Sequence, residues 1–349
     1  MRKLYLYGWV MLFSVSLSAQ DEFFASFRTA GLTLNPAEAG RIATQARFTA
    51  LGRTQWNTIS GAPYRAVFAG LETQAFCLGE NFFGGSLSAA MEQSGSSRFQ
   101  RLRAQGGLSY HEKIGSRVYL SGGIELGILQ HSLGNTDLRF DRQFDGTEYD
   151  PGSASGEAFL RFSNTRMDAA AGVLLYQQQG RWSIGVSVDH LFTPSMSFLE
   201  EDVYTLGRGL VVHGNAHLVS LGVPTRPDLV LGVQGMYRRY ALFNARQWHS
   251  ILGVYGVAAL GKSAGSGPLQ RFFRTDLSVR LAGAQTDPAF LVDAILVTAT
   301  FAREGWQFGL TYDATVSQLG RATAGFGGIE LFLSLPFAGE RTCVLCPDF

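Results

Sequence analysis

Lysine is nearly missing from this chain. Lys3, Lys113 and Lys262 are the only three among 349 residues, and arginine carries almost all the positive charge. Charged residues make up 16% of the chain and the formal net charge is +1, so no basic surface for a polyanion such as nucleic acid is implied. Cysteine is also scarce: Cys77, Cys343 and Cys346 are too few for a disulfide framework, and two of them in a C-x-x-C spacing are too few for a zinc site. The six histidines form no cluster. No apolar run reaches the roughly eighteen residues a spanning helix needs. The longest, Leu4 to Leu17, follows Arg2 and Lys3 and precedes the small residues Ser18-Ala19. That is the layout of a secretory signal over 1–19, with the cut ahead of Gln20.

What the chain has in quantity is glycine, at 42 residues, and aromatics, with 26 Phe, 12 Tyr and 5 Trp. Such glycines let crowded strands tilt and bulge, and aromatics suit membrane interfaces. The stronger signal is alternation. In Trp182-Ser-Ile184-Gly-Val186-Ser-Val188-Asp189 every even position is apolar. Val118 to Ile128 and Trp306 to Asp313 alternate in the same way. Side chains on a strand point to opposite faces in turn, so each segment has one oily face and one wet face. A soluble sandwich would have to bury all those oily faces in its core. A closed barrel in a bilayer sets them against lipid hydrocarbon and leaves no unpaired edge.

The pattern predicts a transmembrane antiparallel β-barrel of about fourteen strands over 41–337. The strands are expected at 41–56, 63–76, 81–93, 99–112, 116–132, 166–179, 181–192, 210–222, 227–242, 246–260, 272–285, 290–304, 306–319 and 324–337. With the N-terminus in the periplasm, even-numbered connections are periplasmic turns and odd-numbered ones outer loops. Most even ones are tight, and the two longest connections, near 133–165 and 193–209, are both odd, as outer-membrane barrels require. The Gly/Ser-rich stretch Gly261 to Arg271 is the long exception among the even ones. If the oily faces meet lipid, Glu125, Asp189, Arg280, Asp313 and Glu330 point inward, where they form a cross-lumen network or line a wet passage. The segment 20–40, aromatic and then loop-like, is expected to pack into the lumen as a plug, leaving 338–349 as a periplasmic tail. An oxidising envelope permits a disulfide between Cys343 and Cys346.

Several matches to catalytic or ligand motifs fail on context. Gly256-Val-Ala-Ala-Leu-Gly261-Lys262-Ser263 fits the phosphate-loop pattern, but Ala264-Gly-Ser-Gly-Pro268 cannot start the helix that loop needs. Gly261-Lys-Ser263-Ala-Gly265 fails as a nucleophile elbow for the same reason. His213 and His217 have helical metal spacing, yet on a strand they stand roughly 13 Å apart. Asp137, Asp141, Asp145 and Asp150 lack the spacing of a calcium loop. No serine, histidine and acid assemble on one face, so the chain reads as a non-enzyme with no cofactor and no metal.

Four features carry a family resemblance. Ala19-Gln20 and a Phe-rich stretch lead into Leu34-Asn35-Pro36-Ala37-Glu38-Ala39-Gly40. Gly52-Arg53-Thr54-Gln55-Trp56 contains an R-x-Q-W sequence in the first strand. Gly327-Gly328-Ile329-Glu330 lies in the last strand, and Cys346-Pro347-Asp348-Phe349 ends the chain. On these the chain resembles the PorP/SprF family of outer-membrane proteins of the type IX secretion system in Bacteroidetes, with Gly52, Glu38 and Cys343 as departures from the usual pattern. The resemblance implies a barrel that helps secrete, or anchors at the surface, a large partner carrying a C-terminal sorting domain, in some bacteria a gliding adhesin. It also implies contact with the periplasmic ring of the machine. Asn35, Pro36, Gly40, Arg53, Gln55 and Trp56 are then candidates for structural or partner contacts. Arg53, Gln55 and Trp56 are alternatively contacts for the plug. A transport barrel passing small solutes remains the second reading.

Overall fold

A computed structural model describes residues 24–337 and Cys343, apart from 58–62, 96, 135–137, 155, 157–161, 200–204, 224–225, 243–244, 261–270, 285–286 and 324. The signal-like start, Cys346 and most of the tail lie outside the described residues.

Fourteen strands form a single closed antiparallel barrel. They are β1 (Ala46–Gln55), β2 (Tyr64–Leu78), β3 (Asn81–Ser94), β4 (Phe99–Lys113), β5 (Val118–Leu133), β6 (Ser163–Gln177) and β7 (Trp182–Asp189). The other half comprises β8 (Gly209–Val223), β9 (Arg226–Leu242), β10 (Ala245–Ala259), β11 (Arg271–Ala284), β12 (Asp287–Arg303), β13 (Trp306–Thr315) and β14 (Phe326–Phe337). Each strand pairs with its sequence neighbours, and β1 closes the ring on β14, with Ala46 opposite Phe337 and Arg53 opposite Glu330. Among the described residues no helix is long and apolar enough to cross a membrane.

Period two explains the wall. On β13, Trp306, Phe308 and Leu310 are exposed outward, while Thr311 and Asp313 are buried inward. Leu87, Leu108, Ile124 and Leu252 are outward on other strands. Each such side chain gains about 1.5–3 kcal/mol in hydrocarbon relative to water, so the wall is stable only with an apolar medium around it.

The barrel has two unlike ends. Connections 79–80, 114–117, 178–181 and 304–305 are short and lie at one end. The longest, 134–162 and 190–208, lie at the other. Described parts of the second loop, 190–199 and 205–208, pack at that mouth: Met196 and Leu206 are buried with Leu129 and Tyr240, and Asn164 donates to the carbonyls of Ser195 and Ser197.

Two strand ends differ from the expected ranges by four residues or more. β1 begins at Ala46, not at 41, because the chain turns inward first. The N–H of Arg41 donates to the Glu38 carbonyl at 3.0 Å, and its guanidinium grips the Glu38 carboxylate. Ile42 is fully buried as a result. β13 stops at Thr315 because Val316 and Ser317 donate to the Asp293 carbonyl, and a short helix, α1 (Leu319–Thr323), follows.

The core lies inside the barrel and is built around residues 24–42. Phe24, Ala30, Leu32 and Ala39 pack on Leu51, Phe68 and Phe332. Ala25, Phe27 and Leu34 pack on Val211, Met236, Ile251 and Leu296. Ala37 joins Phe82, Tyr119, Leu174 and Tyr176.

The disulfide corrects the sequence reading. Cys343 is bonded to Cys77, with Cα atoms 5.2 Å apart, and not to Cys346. Both β2 and β14 finish at the short-turn end, with Phe337 opposite Ala46 and Ala46 opposite Thr73. There the Cys343 N–H donates to Gln74 Oε1 at 2.8 Å, and the residue packs against the Ala37–Tyr176 cluster.

Candidate functional site

The site is the seat that the barrel wall forms for residues 24–42. Local chemistry shapes its centre, Leu34 to Gly40. Asn35 is extended and caps a single helical turn, Pro36–Glu38, its Oδ1 accepting the Ala37 N–H at 2.9 Å. Pro36 occupies the first position of that turn, where no N–H is needed. Gly40 leaves it at φ +78°, a conformation that favours glycine. The other end of the Asn35 amide donates to the Val173 carbonyl at 3.0 Å and to His213 Nε2 at 3.2 Å.

The wall reads this segment mainly through its backbone. Arg238 donates to the Thr33 carbonyl at 2.7 Å, and Ser187 donates to that of Leu34. Ser121 donates to the Ala37 carbonyl at 2.9 Å. Ser109, at 2.6 Å, and His111 Nε2, at 2.9 Å, both donate to that of Ala39. With its Nε2 proton so placed, His111 accepts from the Tyr176 hydroxyl at Nδ1, 2.9 Å away. Gln74 Nε2 donates to the Ile42 carbonyl at 3.0 Å. On the donor side, Glu330 takes the N–H groups of Ala25 and Ser26, each at 2.8 Å, and Glu72 takes that of Gly40 at 3.1 Å. A buried stretch with little secondary structure needs such partners for its peptide groups.

Inward glycines let the backbone come this close. A Cβ on Gly84 would lie 2.1 Å from the Ala39 carbonyl oxygen, and one on Gly123 would lie 2.4 Å from the Ala37 nitrogen. One on Gly172 would lie 2.1 Å from Asn35 Oδ1. These three glycines sit on β3, β5 and β6 and form a trough for residues 35–40.

Glu38 lies in the same trough. Burial alone would raise its pKa, but the guanidinium of Arg41, with His213 and Arg28, outweighs that and holds the carboxyl below its ordinary value.

All five acids and arginines expected to face inward are buried. Three of them join through Arg53. Arg280 pairs with Asp313 and with Asp293, the latter at 2.6 Å; Arg53 donates to Asp313 at 2.9 Å and to Gln55 at 3.1 Å. Arg53 also lies 3.6 Å from Glu330, which in turn holds Ala25 and Ser26. The R-x-Q part of the first-strand motif is thus linked to the segment through Glu330. Asp189 stands elsewhere, 3.6 Å from Arg238, and Glu125 lies on β5 opposite Gly107. Trp56 is at the long-loop rim; its backbone N–H donates to the Gly327 carbonyl at 3.0 Å and its ring meets Tyr64 edge-on.

Glu72, His111 and Arg238 contact the segment and were not singled out in the sequence; His213, weighed there only as half of a metal pair with His217, contacts it too. Strand parity would have found them, since each sits at the opposite parity to the outward apolar residues of its own strand, such as Leu71, Leu108, Leu210 and Leu231. Apart from His213, the residues of the dismissed motifs fall elsewhere. Gly256 to Ala259 continue β10, and 261–265 lie outside the described residues. His217 packs edge-on against Tyr255. Asp145 and Asp150 accept bonds from the loop residues that follow them, and Asp137 is outside the described residues.

No curated protein matches the chain. Among solved structures, the CymD monoaromatic hydrocarbon channel is 11% identical, covering 90% of this chain and 94% of its own, with a TM-score of 0.49. The P. putida toluene transporter TodX is 11% identical over 88% of this chain and 93% of its own, with a TM-score of 0.46. At that identity and score neither bears on what this barrel does. The family described as type IX secretion system membrane protein PorP/SprF matches residues 16–333. A match of that extent decides the matter: the chain is an outer-membrane barrel belonging to the PorP/SprF family of type IX secretion system membrane proteins.

Proposed function

We propose that this barrel is a plugged receptor of the secretion machine, which helps export a large partner, or anchors it at the surface, through the partner's C-terminal sorting domain. The observation that carries the reading is the family match over residues 16–333. Support for the plug comes from the burial of residues 24–42 and from their bonds to β2, β4, β5, β6, β7, β9 and β14. A barrel filled in this way works through its rims. The long-loop rim, with exposed Phe144 and Phe192, offers the docking surface for cargo, and the short-turn rim faces the periplasmic components.

The test is an affinity pull-down from detergent-solubilised outer membranes, with bound proteins identified by mass spectrometry. The expected result is a large exported protein held by its C-terminal domain and lost when loops 134–162 and 190–208 are shortened. Recovery of the barrel alone, together with solute uptake when it is placed in liposomes, would overturn the reading in favour of a transport barrel.

A further inference from the structure

At the short-turn end, the outward faces of β11 to β14 set a basic row beside an aromatic one. Arg271 stands across the strands from Arg303, and Arg303 from Trp306. Two residues further along the same face, Phe273 stands opposite Phe301, Phe301 opposite Phe308, and Phe308 opposite Leu333. Burial confirms the parity. Phe273, Phe301, Trp306 and Phe308 are exposed outward, whereas Phe272, Arg274 and Ala302 are buried on the lumen side. A groove of about 400 Å³ runs over this face; its lining includes Phe301, Phe308, Leu333 and Trp306, with Arg303 and Glu304 at the rim.

Two guanidiniums directly opposite each other on one face, with Cβ atoms about 5 Å apart, repel. Glu304 offsets this only in part. It accepts from Arg303 Nε at 3.2 Å, and both side chains stay more than half exposed. Among the described residues the Arg303 terminal nitrogens have no other partner, and the Arg271 side chain has none. Arg271 and Arg303 against Glu304 leave one net positive charge on this patch. Open guanidinium forks match the oxygens of a phosphate. The medium over the aromatic row is apolar, since the outward wall is stable only in such a medium. Arginine at that boundary lays its stem along the apolar surface and keeps its head among the phosphates. A soluble anion would leave the groove unfilled, and hydrocarbon alone would leave the forks without oxygen. A molecule with a phosphate at one end and an acyl chain at the other satisfies both.

We infer that this patch binds one anionic diacyl phospholipid of the leaflet at the short-turn end, with its phosphate between Arg303 and Arg271 and an acyl chain in the groove over Phe301, Phe308 and Leu333. The single negative charge of such a lipid balances the single net positive charge of the patch. The site lies on the outer wall and is independent of which partner docks at the rims.

The test is native mass spectrometry on the full-length protein, delipidated in detergent and titrated in separate arms with dioleoyl phosphatidylglycerol, phosphatidylethanolamine and phosphatidylcholine. One phosphatidylglycerol is expected to bind roughly fivefold more tightly than either net-neutral lipid, the effect of one uncompensated arginine beside an anionic lipid. The double variant Arg271→Gln, Arg303→Gln should lose that preference. Both positions are exposed and outside the lumen, so the barrel is kept, which heat-modifiable gel mobility verifies. Excess inorganic phosphate should leave the bound lipid in place, because it cannot fill the groove. Equal affinity of the wild type for all the lipids would mean an unselective lipid shell and would overturn the inference. So would a preference that survives in the double variant, or displacement of the lipid by phosphate.

Discussion

Glu330 is the position where a one-residue change most directly tests how residues 24–42 are held. Its two carboxylate oxygens each accept a backbone N–H, from Ser26 and Ala25, at 2.8 Å, in a buried site. Arg53 stands 3.6 Å away but also donates to Asp313, so it keeps a counter-charge when Glu330 is neutralised. A hydrogen bond to a buried charged group contributes about 2 kcal/mol. Glu330→Gln keeps one acceptor oxygen and turns an NH2 toward the second donor, so one bond is lost. The expected cost is about 2 kcal/mol, or roughly 30-fold in the docking equilibrium of the segment. Glu330→Ala loses both, about 4 kcal/mol, or roughly a thousandfold. The assay is hydrogen–deuterium exchange with mass spectrometry on peptides covering 24–42, with strand peptides as internal reference. Exchange of the segment is expected to accelerate in the order wild type, Gln, Ala while the strands hold. Equal exchange in all three proteins would refute the role given to Glu330, and equal acceleration in strands and segment would show that the two unfold together.

Three further outcomes follow. Gly84→Ala sets a methyl 2.1 Å from the Ala39 carbonyl oxygen, a backbone atom with little freedom to retreat. The cost falls at the upper end of about 1–3 kcal/mol for overpacking, and limited proteolysis should cut the segment while the barrel stays intact. Replacing Cys77 by Ser should free Cys343, whereas Cys346→Ser should leave the Cys77–Cys343 bridge in place; non-reducing peptide mapping reads both, and a mapped Cys343–Cys346 peptide in the wild type would contradict the structure. Glu38 is held below its ordinary value of 4.5 by Arg41, so its charged form stabilises the docked segment above that pH. That contribution is lost as pH falls through the lowered value, so segment exchange, corrected for its intrinsic pH dependence, should stay flat from pH 7 to 5 and rise only below about 4.5.

The barrel was legible because lipid makes period two strict on every strand. Fourteen strands and the long-loop, short-turn asymmetry could be read from alternation and connection length. The inward positions of Asp313, Arg280 and Glu330 followed from the same parity. Their grouping did not, because Arg53 and Asp313 are 260 residues apart and meet only once the ring closes. The disulfide misled for a related reason. Closing a short loop costs less entropy than a long one, so sequence alone favours Cys343 with Cys346. The actual partner is 266 residues away and is brought near only because the ring closes β14 on β1, which sets the end of β14 beside that of β2. The start of β1 was misplaced because residues 41–45 belong to a turn that the Glu38–Arg41 pair tightens, a contact that carries no alternation signal.

The inward glycines were the hardest signal to read, and they say the most about the site. A glycine in a barrel strand has two causes, strand tilt or the close approach of another backbone, and composition cannot separate them. Gly84, Gly123 and Gly172 are of the second kind, since a side chain on any of them would overlap Ala39, Ala37 or Asn35. Opposite them the wall offers serines, His111 and Arg238 to peptide carbonyls, and Glu72 and Glu330 to peptide N–H groups. Most of this recognition falls on backbone, so it constrains side-chain size more than identity. Ala37 and Ala39, both fully buried, must stay small; Asn35 must keep both ends of its amide; Gly40 must keep its positive φ. Thr33 and Leu34, held through their carbonyls, should tolerate exchange for residues of similar volume. A scan of 33–40 read by segment exchange would separate the two classes, and equal tolerance at Asn35 and Leu34 would show that the trough reads no side chain at all.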